Sequence, residues 1–153
     1  MEYDTFGADV AEALGVLLRR EMRVQVYGEL TRDVAEGVDE VSYPVISGLA
    51  RRGRCTAAEL AGDVGLDRSV VSRRATALQN AGLLTRAPDP RDSRGTLLML
   101  TPKGQEAVRT MRDRLAQLIG EHLSEWPPEE VAVFVKIFRH FVECGLFTQR
   151  DNS

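Results

Sequence analysis

Thr56-Ala57-Ala58-Glu59-Leu60-Ala61-Gly62-Asp63-Val64-Gly65-Leu66-Asp67-Arg68-Ser69-Val70-Val71-Ser72-Arg73 is the stretch on which the fold turns. A hydroxyl at 56 and a carboxylate at 59 have the spacing of a capping box, in which each side chain satisfies a free amide donor at a helix start. Leu60, Ala61 and Val64 form a short inward face, and Gly65 stops it. After Leu66, Asp67 suits the N-cap of a second helix running to about Asn80, with Val71, Ala75 and Leu78 on one face. Arg68, Ser69, Ser72 and Arg73 lie mainly on the opposite face. Ala81-Gly82 ends that helix. Two helices joined by a tight turn, the second presenting hydroxyls and guanidiniums outward, make a helix-turn-helix.

Downstream, Leu83-Leu84-Thr85-Arg86 and Thr96-Leu97-Leu98-Met99-Leu100 are short and apolar, and they enclose a polar stretch, Ala87 to Gly95, with two prolines and alternating charge. This predicts a β-hairpin with a protruding basic tip. Thr101-Pro102 restarts a helix with an N-cap and a proline at its first position; Val108, Met111, Leu115, Leu118, Ile119 and Leu123 supply its apolar stripe. A last helix opens at Pro127-Pro128-Glu129-Glu130, where carboxylates suit the positive end of the helix dipole. Its apolar residues, Val131, Phe134, Val135, Ile137, Phe138, Phe141 and Val142, are too many for one side, so a helix buried nearly all round is expected.

Upstream, Val10, Leu14, Leu17, Val24, Tyr27, Leu30 and Val34 recur at helical spacing, which predicts one long helix from about Ala8 to Glu36, ended by Gly37. A second helix is expected from Tyr43 to Arg52, with Ser42 at its N-cap, Pro44 in its first turn and Gly53 as its stop. The fold class is therefore mainly α with a small β-hairpin wing.

At 153 residues, 43% hydrophobic and 28% charged, the chain is one domain's worth. No apolar run approaches the ~20 residues of a bilayer span, so no membrane partner is expected. The first residues, Met1-Glu2-Tyr3-Asp4-Thr5, are acidic where a secretory signal would be basic, which reads as cytoplasmic. Cys55 and Cys144 form neither a disulfide framework nor a CxxC motif. The net charge of −3 conceals an uneven distribution. From Arg51 to Lys103 there are ten basic and five acidic residues, a local charge of +5, which leaves −8 for the flanks. A basic middle carrying a helix-turn-helix favours a nucleic-acid face over scattered solvated charge.

With these elements in order the chain resembles the MarR family of bacterial transcriptional regulators. The resemblance rests on Thr56-Ala57-Ala58-Glu59-Leu60-Ala61, Asp67-Arg68-Ser69-Val70-Val71-Ser72-Arg73, Ala81-Gly82-Leu83-Leu84-Thr85-Arg86, Asp89-Pro90-Arg91-Asp92-Ser93-Arg94 and Leu100-Thr101-Pro102-Lys103-Gly104. It implies a single domain over 1–153, with a winged helix-turn-helix lobe at 42–104 flanked by dimerisation helices at 8–36 and 102–148. It also implies a homodimeric, sequence-specific regulator binding double-stranded DNA, a repressor released from a pseudo-palindromic operator by a small, often aromatic or phenolic effector. One position departs from the family pattern. Arg74 stands where the family usually has an aliphatic residue; it can reach a phosphate or pair with Asp63 or Glu59.

An α-helix fits the major groove, where base edges display distinct donors and acceptors. On the helix from Asp67, Arg73 can fork onto guanine O6 and N7, Ser69 and Ser72 offer hydroxyls to bases or phosphates, and Arg68 in the first turn can serve either. The alternative for each alone is an ordinary solvated side chain or a salt bridge. At the wing, the resemblance implies that Asp92-Ser93-Arg94 sends Arg94 into the minor groove, whose narrow form concentrates negative potential. Asp92 would orient the loop, and Arg91 would meet a phosphate. The helix start at Thr56 can bind a phosphate through backbone N–H groups.

The terminal helices carry more apolar surface than a small winged helix can cover, which argues for a homodimer. No effector identity can be read; Tyr27, Tyr43 and Trp126 are pocket candidates, with core packing the better reading. Cys55, beside Arg54 and before a helix start, has a setting that lowers a thiol pKa, against the plainer reading of a small core residue. His122 and His140 lack ligand spacing, so no metal or cofactor is expected. No Ser/His/Asp or Cys/His grouping and no phosphate-cradling glycine motif stands out, so no enzyme and no catalytic residue is expected. A winged helix that binds protein would show apolar residues at 69, 72 and 73, where this chain has Ser, Ser and Arg.

Overall fold

The computed structural model describes residues 1–144. In chain order the elements are α1 (Glu2–Leu18), α2 (Arg20–Thr31), α3 (Tyr43–Arg52), β1 (Cys55–Thr56), α4 (Ala57–Val64), α5 (Arg68–Asn80), β2 (Leu84–Asp89), β3 (Asp92–Leu100), α6 (Pro102–Leu123) and α7 (Pro128–Glu143). Two compact units divide the chain, one covering Met1–Arg114 and a second beginning at Leu115.

In the first unit the apolar faces of α3, α4 and α5 meet over the sheet. Val45, Ile46, Leu60, Val71, Ala75, Leu78 and Leu83 are all fully buried there. Each larger side chain of this set contributes about 1.5–3 kcal/mol by leaving water. Close approach of α3 to α4 depends on Gly48: a Cβ there would lie 2.6 Å from Val64 Cγ1. The helices stop as their glycines dictate, with Gly53 at φ 83°, Gly65 at φ 67° and Gly82 at φ 76°.

The sheet is antiparallel with order β1-β3-β2. β3 is its centre, pairing Cys55 with Leu98 on one side and Leu84 with Leu100 on the other. The two-residue β1 was not expected, because Cys55-Thr56 is too short to show a period of two. The hairpin strands extend past the expected Arg86 and start before the expected Thr96, as far as Asp89 and Asp92.

Leu100-Thr101-Pro102-Lys103-Gly104 is the joint between sheet and α6. The Thr101 amide donates to the Leu83 carbonyl (3.1 Å), and its hydroxyl donates to the Gly82 carbonyl (2.6 Å) while accepting from the Gly104 amide (3.1 Å). Lys103 Nζ donates to the Ala81 carbonyl at 2.8 Å, beside the C-terminus of α5. Glycine is required at 104 because a Cβ would lie 2.0 Å from the Leu83 carbonyl oxygen.

Several sequence expectations need correcting. The predicted helix over 8–36 is two helices: Arg19 is extended (φ −62°, ψ 143°), and α2 ends at Thr31, before Asp33 at φ 53°. Nothing in the residue type at 19 announces the break, whereas α2 is held at its end from a distance. Arg114 Nη1 donates to the carbonyls of Glu29 (3.2 Å), Leu30 (3.2 Å) and Arg32 (2.6 Å), placing a cation on the negative helix terminus. Ser42 occupies the position before α3 without capping it; it exchanges hydrogen bonds with Asp39 instead. Asp67 likewise sits at the N-cap of α5 with no side-chain capping bond.

In the second unit, α7 has no buried residue within one chain, contrary to the expected helix buried nearly all round. Trp126, Phe134 and Phe138 form an exposed aromatic row, with Phe134 stacked on Phe138 at 5.5 Å. The expected dimerisation segment ends at 148, and its residues 145–148 lie outside the described ones.

Candidate nucleic-acid interface

α5 is set by its buried face. Val71, Ala75 and Leu78 point into the core, and helical geometry then sends Arg68, Ser69, Ser72 and Arg73 outward. All four are exposed. Among the described residues none of the four side chains makes a hydrogen bond or ion pair, so their donors are available. Arg74 is half-buried, and the two carboxylates considered for it are engaged elsewhere: Asp63 by Arg52 at 2.7 Å, Glu59 by Arg91 at 3.2 Å.

The capping box at Thr56 forms as the sequence predicts. The Thr56 amide donates to Glu59 Oε2 (2.8 Å), and the Glu59 amide donates to Thr56 Oγ1 (3.2 Å). Two of the amide donors at this helix start are thereby used internally, beside a carboxylate. That carboxyl is pulled down to about 2 by the Thr56 amide first and by the Arg91 guanidinium next. Thr56 is thus a capping residue, and its own amide is not open to a phosphate.

The wing is organised around Asp89, which is buried. Its Oδ1 accepts from the Arg91 amide (2.9 Å) and from Arg91 Nε (3.1 Å), and its Oδ2 accepts from Arg91 Nη2 (3.1 Å). Arg91 also reaches across to Glu59 Oε1 (3.2 Å) and Oε2 (3.4 Å) on α4. Arg91 therefore does not extend as a lone cation at the wing tip; two carboxylates hold it, raising its pKa, and it fastens the hairpin to α4. The Asp89 carboxyl is lowered by these same Arg91 bonds. Asp92 accepts from the Arg94 amide at 2.9 Å, which fits the orienting role the resemblance implies for it. Arg94 is exposed, with no side-chain partner among the described residues.

Sequence reasoning passed over three participants. Glu59 and Asp89 act on Arg91 from 32 and two residues away, and only the shorter spacing is visible in a sequence. Arg86, on β2, donates to Gln79 Oε1, to Thr76 Oγ1 (3.2 Å) and to the Ser72 carbonyl (3.4 Å), tying the wing stem to the outward side of α5. Among the other residues considered, Cys55 is buried, and that burial pushes its thiol up, which fits a small core residue and not a reactive one. The rings of Tyr27 and Tyr43 lie against each other at 4.4 Å, tilted by 34°, both half-buried, with burial raising the pKa of the Tyr43 hydroxyl. No helix among the described residues is long and apolar enough to cross a membrane.

Comparison with known proteins agrees with this geometry. Residues 36–95, which hold the helix-turn-helix and most of the wing, match the model of the MarR family. The chain is similar to YxaD, an uncharacterised HTH-type transcriptional regulator of Bacillus subtilis (strain 168), at 27% identity over 118 residues, covering 77% of this chain and 82% of that one. Its fold is similar to that of wild-type MarR from E. coli in the apo form, with a TM-score of 0.71 at 19% identity over 84% of this chain and 93% of that one. It is also similar to BpsR of Bordetella bronchiseptica, whose DNA binding is regulated by 6-hydroxynicotinic acid, with a TM-score of 0.59 at 25% identity over 83% and 96% of the two chains. Residues 36–95 match the model of the MarR family, and the fold of the chain is similar to the winged helix-turn-helix of MarR transcription regulators of known structure.

Proposed function

We propose that this protein is a homodimeric, sequence-specific reader of double-stranded DNA in the cytoplasm that regulates transcription, a repressor released from its operator by a small-molecule effector. One observation carries the reading: Arg68, Ser69, Ser72 and Arg73 stand exposed and unengaged on one face of a helix, in a fold that also exposes Arg94 on a hairpin. In this reading Arg73 and the two serines read base edges in the major groove, Arg68 meets a base or a phosphate, and Arg94 enters the minor groove. Arg91 fixes the wing and contributes little charge of its own to DNA.

Two copies are favoured by the apolar surface that a single chain leaves in water, with Phe6, Val10 and Leu17 on α1 and Phe134, Ile137 and Phe138 on α7. An effector is supported by the similarity to BpsR, which 6-hydroxynicotinic acid regulates. Selection of bound duplexes from a random pool tests the reading. Enrichment of a pseudo-palindrome with half-sites about 34 Å apart is expected. A pool that stays random after repeated rounds would overturn it.

A further inference from the structure

Arg86 is held differently from the other arginines near the wing. Arg91 and Arg52 lie against carboxylates, whereas the Arg86 guanidinium meets three neutral acceptors: the Gln79 side-chain oxygen, the Thr76 hydroxyl (3.2 Å) and the Ser72 carbonyl (3.4 Å). Its charge is fixed in place and has no counter-ion among the described residues. One N–H of Nη1 and both of Nη2 are used, which leaves two of the five guanidinium donors, Nε–H among them, without a protein partner. The residue is half-buried, and drawing a cation partly out of water without a counter-ion is unfavourable. Fastening β2 to α5 does not require a charge, since every acceptor is neutral.

The surroundings supply a reason for it. Ser72, Thr76 and Gln79 follow at i, i+4 and i+7 and form one stripe of α5, which begins inside the outward set of Arg68, Ser69, Ser72 and Arg73. Arg86 thus holds the second half of the outward face and leaves the first half open. On β2 it stands three residues, roughly 10 Å of strand, before Asp89, where the hairpin turns toward Arg94. A protein that puts one element in the major groove and another in the adjoining minor groove must straddle the sugar-phosphate strand that divides them. Arg86 lies between those two elements.

We infer that Arg86 is a phosphate anchor: its unused donors hold a phosphate of the dividing strand, while its tethers to α5 set how far apart the two groove readers stand. The inference rests on the DNA reading proposed above and adds a contact that the residues assigned there do not include. Thr76 and Gln79, although outward, hold the anchor and do not read bases.

The duplex enriched by selection tests it, with one phosphate at a time replaced by a neutral methylphosphonate. At one position, between the base pair sensed by Arg73 and the minor groove entered by Arg94, wild-type affinity should fall about tenfold, as loss of a charged hydrogen bond does. Arg86→Gln should bind the unmodified duplex about tenfold more weakly, lower the slope of log affinity against log salt by about one, and be indifferent to that methylphosphonate. Arg86→Lys keeps the charge and should keep the slope. Gln79→Glu sets a carboxylate on the same guanidinium from an exposed position and should also cut the slope by about one, which decides the matter should Arg86→Gln fail to fold. Arg86→Gln combined with Arg94→Ala should lose about two units of slope; a loss of one would mean that Arg86 acts only through the wing, and would overturn the anchor. A wild-type slope in both Arg86→Gln and Gln79→Glu, or a methylphosphonate penalty that persists in Arg86→Gln, would overturn the anchor alone. A pool that stays random would remove the DNA reading and the anchor with it.

Discussion

Arg91 and Arg94 are three residues apart on one hairpin and have opposite surroundings. Arg91 lies against two carboxylates, whereas Arg94 has only its backbone amide engaged, by Asp92. Their loss should therefore read differently in a salt titration of DNA affinity. Arg94→Ala is expected to lower the slope of log affinity against log salt by about one, the signature of one lost phosphate neutralisation. Arg91→Ala should reduce affinity by loosening the wing while changing the slope by clearly less than one; equal slope changes would refute this division of labour. On α5, Arg73→Ala should cost about 1–3 kcal/mol of specific binding and relax preference at one base pair, measured on the selected operator against single-base variants. The outward set 68, 69, 72 and 73 was legible in the sequence because helical periodicity alone fixes which side faces out. The state of Arg91 was not, because Glu59 lies 32 residues earlier and nothing local marks it as a partner.

Among elements, the joint at Thr101–Gly104 and the start of α4 make the firmest expectations. Gly104→Ala forces a methyl into the Leu83 carbonyl, which is backbone and cannot swing aside, so it should destabilise the fold by about 1–3 kcal/mol in denaturant unfolding. The capping box gives a pH dependence. The Glu59 carboxyl is held at about 2 in the fold against 4.5 unperturbed, so its contribution to stability is full above about 4.5 and is lost as pH falls toward 2. Thermal unfolding followed from pH 6 down to 2 should show this decline, and Glu59→Gln should flatten it. Ser42 and Asp67 stand at helix starts without capping them, and Gly37 lies beyond the end of α2. The caps at Thr56 and Thr101, the glycine stops at 53, 65 and 82, and the hairpin could be read in advance because each is written within a few consecutive residues. The division at Arg19 could not, and Arg114, which closes the end of α2 from more than 80 residues away, shows why: tertiary contacts override a continuous apolar period.

At the scale of the whole molecule, the bare apolar faces of α1 and α7 are the largest feature one chain leaves unexplained. Exposed Ile137 is 61% accessible in the single chain, and Ile137→Asp should shift the protein toward monomer in sedimentation, with operator affinity falling in step. A monomeric wild type would remove the basis for half-site spacing. Partition of charge was visible from composition, but which helix faces lack a cover required coordinates. The fastening of the hairpin by Arg91 bears on how such chains diverge. Because one carboxylate both starts α4 and anchors the wing, positions 59 and 91 are not free to drift separately: a lineage that loses the acid strands the base. Substitutions at the two sites should therefore be inherited together, and a swap of charges should be tolerated at 91 only where another donor takes over the opening turn of α4.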